Sequence, residues 1–538
     1  MAFSVSIKHA GKKYDLDLDI NQPPSAFKQS VYRLTGVEPS KQKILVKGGQ
    51  LKDDSDWSKL GVKPGHQFMV IGTAGELPKA PSQPIVFMED MTDTQLAEVI
   101  TFPAGLENMG NTCYLNSTVQ VLRAIPELQA NLNEFKGSSS DALRKDSALT
   151  SSLRDTYKDL CKTTDSYSPF DLIRTLRSFA PQFAQQTQGH FAQQDAEECW
   201  GQIIGAVRST LDTSDGIDGK FVDRFMAGEM TTETKCIEAP DEPPTIQKEK
   251  WLELKCNISI STNYLITGIQ DGLQQPLQKD SPSLGRSAQY MQSSKISRLP
   301  SYLTVHMVRF FWRRDIAKKT KIMRKVKFPF NLDLTDLLTD DLKAKVGPVA
   351  SKIKDVEKDR RERIKTKKKR KIAKEEAAKE TQSASLESTT APATGEASAS
   401  SKAAQSSEMD VDEDEGTLRE TERALLHSLV DPDLIKDVGS NVTGQYELCG
   451  IVTHKGISAD GGHYLAWVRC DSAKANPNLN QASSSQASPE EFEDPDQQEW
   501  YKFDDDKVSV VKRDKITTLD GGGEDSTAYL LLYRSVAF

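Results

Sequence analysis

Gly105-Leu106-Glu107-Asn108-Met109-Gly110-Asn111-Thr112-Cys113-Tyr114-Leu115-Asn116-Ser117 is the stretch on which the rest of the chain turns. Gly-Asn-Thr reads as a turn, and the apolar-periodic residues from Cys113 onward read as a helix. A cysteine is thereby seated in the first turn of a helix. About 350 residues further on, Gly461-Gly462-His463-Tyr464 places a histidine after a glycine turn, and the alternation of Tyr464, Ala466 and Val468 predicts a strand. A thiol and an imidazole, far apart in sequence and each on a rigid element, are what nucleophilic cysteine chemistry requires. Thiols give up their proton most readily at a helix N-terminus beside a histidine.

A third group follows in Trp500-Tyr501-Lys502-Phe503-Asp504-Asp505-Asp506. A carboxylate on the second ring nitrogen of a histidine fixes its tautomer and stabilises the imidazolium. The residues alone leave Asp504, Asp505 and a simple strand-end turn all open.

The order around Cys113, with the turn before His463, resembles the cysteine and histidine boxes of the ubiquitin-specific proteases, a papain-like deubiquitinase family. The resemblance covers about residues 102–347 and 420–538. It implies a papain-like thumb and palm with β-rich fingers, and the ββαββ order of residues 1–75 in front of it looks like a ubiquitin-like β-grasp domain, so the expected fold class is α+β. The resemblance implies hydrolysis of the peptide or isopeptide bond after the terminal glycine of ubiquitin. Cys113 is then the nucleophile and His463 the general base and acid. Asp504, straight after the aromatic, orients His463, with Asp505 second, and Asn108 donates to the oxyanion. Gln193-Gln194-Asp195-Ala196-Glu197-Glu198 matches the family's box beside the substrate tail. Gln194 and Asp195 are its implied tail-binding residues, together with Gly462 and Tyr464 at the glycine-wide channel. An acidic first turn of a helix is the plainer reading of Asp195.

Residues 1–75 read as a separate domain. Phe3, Val5 and Ile7 alternate, as do Tyr14, Leu16 and Leu18, with Gly11 as the turn between. Ser25 is positioned to cap a helix with Phe27, Val31 and Leu34 on one face and Gly36 at its end. Ile44 and Val46, then Phe68 and Val70, mark further strands. The chain continues through Gly72-Thr73-Ala74-Gly75 without a free Gly-Gly end. The domain therefore reads as a docking module, not a conjugated modifier. The resemblance implies docking on the 26S proteasome regulatory particle.

A Pro-containing linker is expected at 76–101 and the catalytic domain at 102–538. Disordered insertions are expected at 351–420, which opens on a helical-looking charged stretch and then becomes Ala/Ser/Thr-rich, and at 472–499, which is Ser/Asn/Gln-rich. The basic run Lys365–Lys371 reads as a nuclear import signal or as a solvated charge run. Two segments, Arg313–Lys325 and Lys455–Asp460, match surface loops that lie over the ubiquitin-tail groove in relatives of this family.

The net charge of −8 gives no basic balance for nucleic acid. No apolar run reaches a bilayer-spanning length, and Met1–His9 lacks a signal-peptide layout. The expected location is cytoplasmic and nuclear. The seven cysteines include no CxxC pair, so neither metal nor cofactor is expected. The expected partners are ubiquitin and ubiquitinated proteins. The alternative is a weakly active or inactive ubiquitin-binding scaffold, and the presence of Cys113, His463 and Asp504 argues against it.

Overall fold

The computed structural model describes residues 2–46, 49–53, 55–72, 103–137, 144–213, 219–314, 318–384, 415–457, 461–473, 498–523 and 526–536. The linker at 76–101, the centre of the 351–420 insertion and most of 472–499 lie outside these. Two units, Met1–Asp90 and Met91–Phe538, pack internally.

In the first unit, strands run in the order Lys12–Asp19, Ala2–His9, Gln67–Ile71, Lys43–Val46, Gly49–Gln50. The central pair, Ala2–His9 with Gln67–Ile71, is parallel. Helix Pro24–Thr35 covers one face, where Phe27 and Val31 join Val5, Ile7, Ile44, Phe68 and Val70 in the core. Each such burial contributes about 1.5–3 kcal/mol. Two details differ from the sequence reading. The helix begins at Pro24 with Pro23 as its N-cap and no side-chain cap, so Ser25 is not the capping residue. Proline's fixed φ suits a first turn, where an N–H is not needed. Leu34 is exposed and lies off the buried face. Gly36 ends the helix at φ 69°, its N–H donating to the Tyr32 carbonyl.

The second unit is built on an eight-stranded sheet. Its main path runs Glu253–Asn257, Tyr302–Val308, Thr527–Ser535, Gln445–Lys455, His463–Arg469, Glu499–Asp504, Lys507–Lys512, and Asn331–Asp333 pairs with Gln445–Lys455 off that path. Period-two alternation splits the side chains between two cores. On one face Tyr464, Ala466 and Val468 pack with the helices around Cys113. On the other, Trp467, Ile451 and Trp500 form the second core. Helix Cys113–Leu122 is buried along its whole length, its polar residues Asn116, Ser117, Thr118 and Gln120 included, and Asn116, Thr118 and Gln120 each donate to a protein acceptor. It lies so close to the sheet that a Cβ at Gly450 would stand 2.7 Å from Val121 Cγ1.

A separate four-stranded antiparallel sheet runs Gln274–Ser281, Arg286–Arg298, Gly228–Cys236, Thr245–Trp251. The insertion at 351–420 differs from the expectation of disorder at both of its ends. Asp340–Ala384 and Glu415–Leu429 are helices. Val349 and Ile353 pack against Leu426 and Val430, and Arg360 and Arg363 both bond Glu422 at 2.7 Å. That small apolar seam and its ion pairs order segments whose composition alone predicts disorder.

Candidate active site

The turn before Cys113 is built from left-handed backbone at Gly110 (φ 90°) and Asn111 (φ 54°). Asn108 Oδ1 accepts from the N–H groups of Gly110 and Thr112, each at 3.1 Å. Thr112 Oγ1 accepts from the Met109 N–H at 2.9 Å. Asn111 ties the turn to the neighbouring loop through the Phe191 carbonyl at 2.8 Å. The cysteine is thereby delivered, buried, at the first position of its helix.

The adjacent strand supplies the histidine. The Tyr464 backbone N–H donates to Cys113 Sγ at 3.4 Å. His463 Nε2 lies 2.7 Å from Asp504 Oδ1, at the end of the next strand. That leaves Nδ1 for the thiol. The hydrogen bond with Cys113 is the largest influence on His463. Against the opposing effect of burial, and with Asp504 adding to it, the imidazole is pushed up to about 9. Burial would raise the Asp504 carboxyl, but the bond from His463 and the Lys502 ammonium at 3.3 Å hold it below the usual carboxylate range. Asp505 Oδ2 is farther from His463 Nε2, at 3.9 Å. Its two oxygens accept from Asn108 Nδ2 at 2.8 Å and Asn116 Nδ2 at 2.9 Å. Asn108 is exposed, with one amide N–H committed to Asp505.

On the other side of the sulfur stands the Gln193–Glu198 box. Asp195 caps helix Ala196–Thr210, accepting from the Glu197 N–H at 3.0 Å. Tyr529 Oη donates to it at 2.6 Å, and Lys319 Nζ at 2.8 Å. Burial alone would push this carboxyl up, but Lys319, Tyr529 and the Glu197 N–H together hold it low. Gln194 is half-buried. Gly462 leaves no room for a side chain, since a Cβ would collide with His454 Nε2. His454 is fully buried. Its side-chain nitrogens have no hydrogen-bond partner among the described residues.

The geometry is that of a thiol hydrolase, and the chain's likeness to known proteins gives its substrate. A family described as "Ubiquitin carboxyl-terminal hydrolase" matches residues 104–533. A second, "Ubiquitin family", matches residues 5–75. The chain belongs to the ubiquitin carboxyl-terminal hydrolase family. It is 39% identical over 541 residues to Ubiquitin carboxyl-terminal hydrolase 6 of Schizosaccharomyces pombe, covering 99% of each chain. It is 37% identical to Ubiquitin carboxyl-terminal hydrolase 6 of Arabidopsis thaliana, covering 99% of this chain and 98% of that one. It is 31% identical to Ubiquitin carboxyl-terminal hydrolase 14 of Caenorhabditis elegans, covering 99% and 93%. The protein is a cysteine-type deubiquitinase of α+β fold with an N-terminal ubiquitin-like domain.

Sequence reasoning missed three residues. Gln193 contacts the sulfur, Asn116 binds Asp505, and Lys319 binds Asp195. Two consecutive glutamines before an N-cap aspartate were the available signal for the first. The other two had no local signal. Among the described residues, Glu197, Glu253 and His306 offer ligand atoms within 4.8 Å of one another, the one group that could hold a metal ion. Burial and then the neighbouring Glu253 carboxylate push Glu197 up, as two close like charges must. No helix of the described residues is long and apolar enough to cross a membrane.

Proposed function

We propose that the protein removes ubiquitin from conjugates held at the proteasome and so recycles it. Cys113, His463 and Asp504 carry the chemistry. His463 takes the proton from Cys113, and the sulfur attacks the carbonyl carbon of ubiquitin's last glycine. Imidazolium then gives its proton to the leaving lysine amine. Water, deprotonated by the same ring, releases ubiquitin from the thioester. The observation that carries this reading is the linear order Cys113 Sγ, His463, Asp504, with 2.7 Å at its second contact. Asn108 is assigned to the oxyanion, with a second amide proton left after Asp505. Gln194, Asp195, Gly462 and Tyr464 line the path of the tail. Asp195 receives a tail arginine, a charge-assisted contact.

The ubiquitin-like unit is the docking module. Leu45, Met69 and Ile71 are exposed on one sheet face, Leu45 opposite Met69 in the ladder, while Ile44, Phe68 and Val70 fill the core behind them. Exposed apolar side chains grouped on one sheet face mark an interaction surface. The action is cytoplasmic and nuclear, where proteasomes work.

Regulation fits the same layout. The hairpin Phe310–Arg313 with Lys318–Lys321 sends Lys319 to Asp195, the residue meant for the tail. Lys321 donates to the carbonyls of His454, at 2.6 Å, and Gly456, at 3.1 Å, joining the hairpin to the loop before His463. The free enzyme is held largely shut by these two loops, and docking opens it, a population shift between two arrangements.

Steady-state hydrolysis of a ubiquitin C-terminal fluorogenic amide, with and without proteasomes whose own deubiquitinating activity is blocked, tests this reading. The rate rises more than about tenfold with proteasomes. Full-length Leu45→Asp keeps the free rate and loses both co-sedimentation and stimulation. A free enzyme as fast as the bound one, or undiminished co-sedimentation of Leu45→Asp, contradicts it.

A further inference from the structure

Gln193 has no part in the roles given above, yet its side chain touches the reacting atom. Nε2 lies 3.1 Å from Cys113 Sγ and 3.1 Å from the Gly462 carbonyl oxygen. A carbonyl oxygen only accepts, so the end of the amide facing it is the NH2 group. That contact fixes the direction of the amide. One proton goes to Gly462 and the other is aimed at the sulfur. The cost is visible at the opposite end, where Oε1 is buried with no hydrogen-bond partner among the described residues. An unpaired buried acceptor is unfavourable, so the orientation is imposed by the two contacts of the nitrogen.

The scaffold around Gln193 is fixed on both sides. Two residues before it, the Phe191 carbonyl accepts from Asn111 of the cysteine turn. Two residues after it, Asp195 is held by Tyr529, Lys319 and its own helix. The amide therefore bridges the nucleophile's sulfur and the backbone of the glycine immediately before His463.

We propose that the Gln193 side-chain amide is a catalytic donor: it hydrogen-bonds the Cys113 sulfur while that sulfur carries negative charge, and it pins Gly462 so that His463 stays in reach. The inference rests on Cys113 being the nucleophile. The charge on sulfur arises twice. First, the Cys113 proton moves to His463 Nδ1 and the S–H electron pair stays on sulfur. Second, after water has added to the thioester and given its proton to His463, the C–S bond breaks and its electron pair returns to sulfur as thiolate. In both states an N–H aimed at an anion forms a charge-assisted bond, about twice as strong as a neutral one. In the thioester between them the sulfur is neutral, and the bond weakens. That difference is what makes the contact catalytic rather than merely structural.

The test uses the full chain with Gln193→Met, similar in length and without the donor, and Gln193→Glu, which sets a carboxylate against the sulfur. Three readouts are taken: kcat and KM on the fluorogenic ubiquitin amide, the rate of iodoacetamide alkylation of Cys113 between pH 5 and 9, and ubiquitin affinity with Cys113→Ala as background. We expect kcat to fall about a hundredfold in Gln193→Met with KM and affinity nearly unchanged. The acid limb of the alkylation profile moves to higher pH, and farther in Gln193→Glu than in Gln193→Met. Raised KM and weakened affinity with unchanged kcat and alkylation would make Gln193 a tail-binding residue and overturn the proposal. So would activity within twofold of wild type. An unchanged alkylation profile beside a lowered kcat would remove the sulfur contact from catalysis. Wild-type hydrolysis and its loss in Cys113→Ala are the controls, so failure of the nucleophile assignment would be seen separately.

Discussion

Asn116 and Asp505 are 389 residues apart in the chain, and the Asn116 amide donates to the Asp505 carboxylate at 2.9 Å. The contact ties the helix of the cysteine to the turn that follows Asp504. Asp505 sits at φ 55°, a conformation uncommon outside glycine, and its carbonyl accepts from the Leu106 N–H at 3.0 Å. Cysteine loop and aspartate turn are thus laced together twice, by side chain and by backbone.

Gly105 is where this lacing is most exposed to a test. A Cβ there would collide with the Asp506 carbonyl, which is backbone and cannot swing aside. Gly105→Ala should destabilise the catalytic unit by about 1–3 kcal/mol, the usual cost of overpacking. It should also lower kcat, because the turn carrying Asp504 must shift. Urea unfolding and reporter kinetics of the same preparation check both. Unchanged kcat in a destabilised protein would show that the turn's position does not matter to the chemistry.

Asp504→Asn should lower kcat by about a hundredfold or more and move the alkaline limb of the rate profile. His463 in the folded protein sits at about 9, above its ordinary value, so its proton is present below that pH and lost as pH rises through it. The leaving amine needs that proton. The stabilising effect of the raised imidazole is likewise complete below about pH 6.5 and lost as pH climbs through 9. Without the Asp504 carboxylate, the limb falls at lower pH. A limb that stays in place in Asp504→Asn contradicts the pairing.

His454 has the opposite sign. Burial, then the Lys321 ammonium, lower it to about 3. Between pH 6.5 and 3 the unfolded chain binds a proton that the folded one does not, so stability falls as pH falls. His454→Leu removes this term along with two unpaired nitrogens. Between pH 6.5 and 5, wild type should lose about 1–2 kcal/mol more stability than the variant. Equal losses would mean that His454 is protonated in place.

Lys319→Met should raise the rate of the free enzyme several-fold, because it clears Asp195 for a tail arginine. Asp195→Asn should lower kcat/KM by about tenfold or more, the worth of one hydrogen bond to a charged partner. The comparison is made at low and physiological salt, since Lys319 is partly exposed and screening weakens its hold. A slower Lys319→Met would assign the lysine to holding the groove's shape.

Much of this was legible in the sequence where the pattern was local. The turn before Cys113, the glycines before His463 and the alternation of Tyr464, Ala466 and Val468 each carry their own signal within a few residues. The first unit was readable for the same reason, its strands alternating around Phe27 and Val31. Contacts across long separations were not readable. The glutamine pair before Asp195 marks a box without pointing to a sulfur 80 positions away, and the Arg313–Lys325 segment reads as a groove loop without singling out Lys319 or its partner Asp195, 124 positions away. The helical look of the charged stretch from 351 was legible, but not that it is ordered by packing: the helix Asp340–Ala384 begins earlier, and the surrounding charge hides the spacing of apolar contacts such as Val349 and Ile353.

The central claim is that Cys113 forms the covalent bond to ubiquitin, and one measurement meets it directly. Full-length protein is incubated with ubiquitin carrying a C-terminal electrophile, alone and with proteasomes, and the modified residue is located by peptide mass spectrometry. The account predicts one ubiquitin per chain, attached at Cys113, and none on Cys113→Ala. Attachment at Cys161 or any other cysteine, or labelling that survives Cys113→Ala, would contradict it.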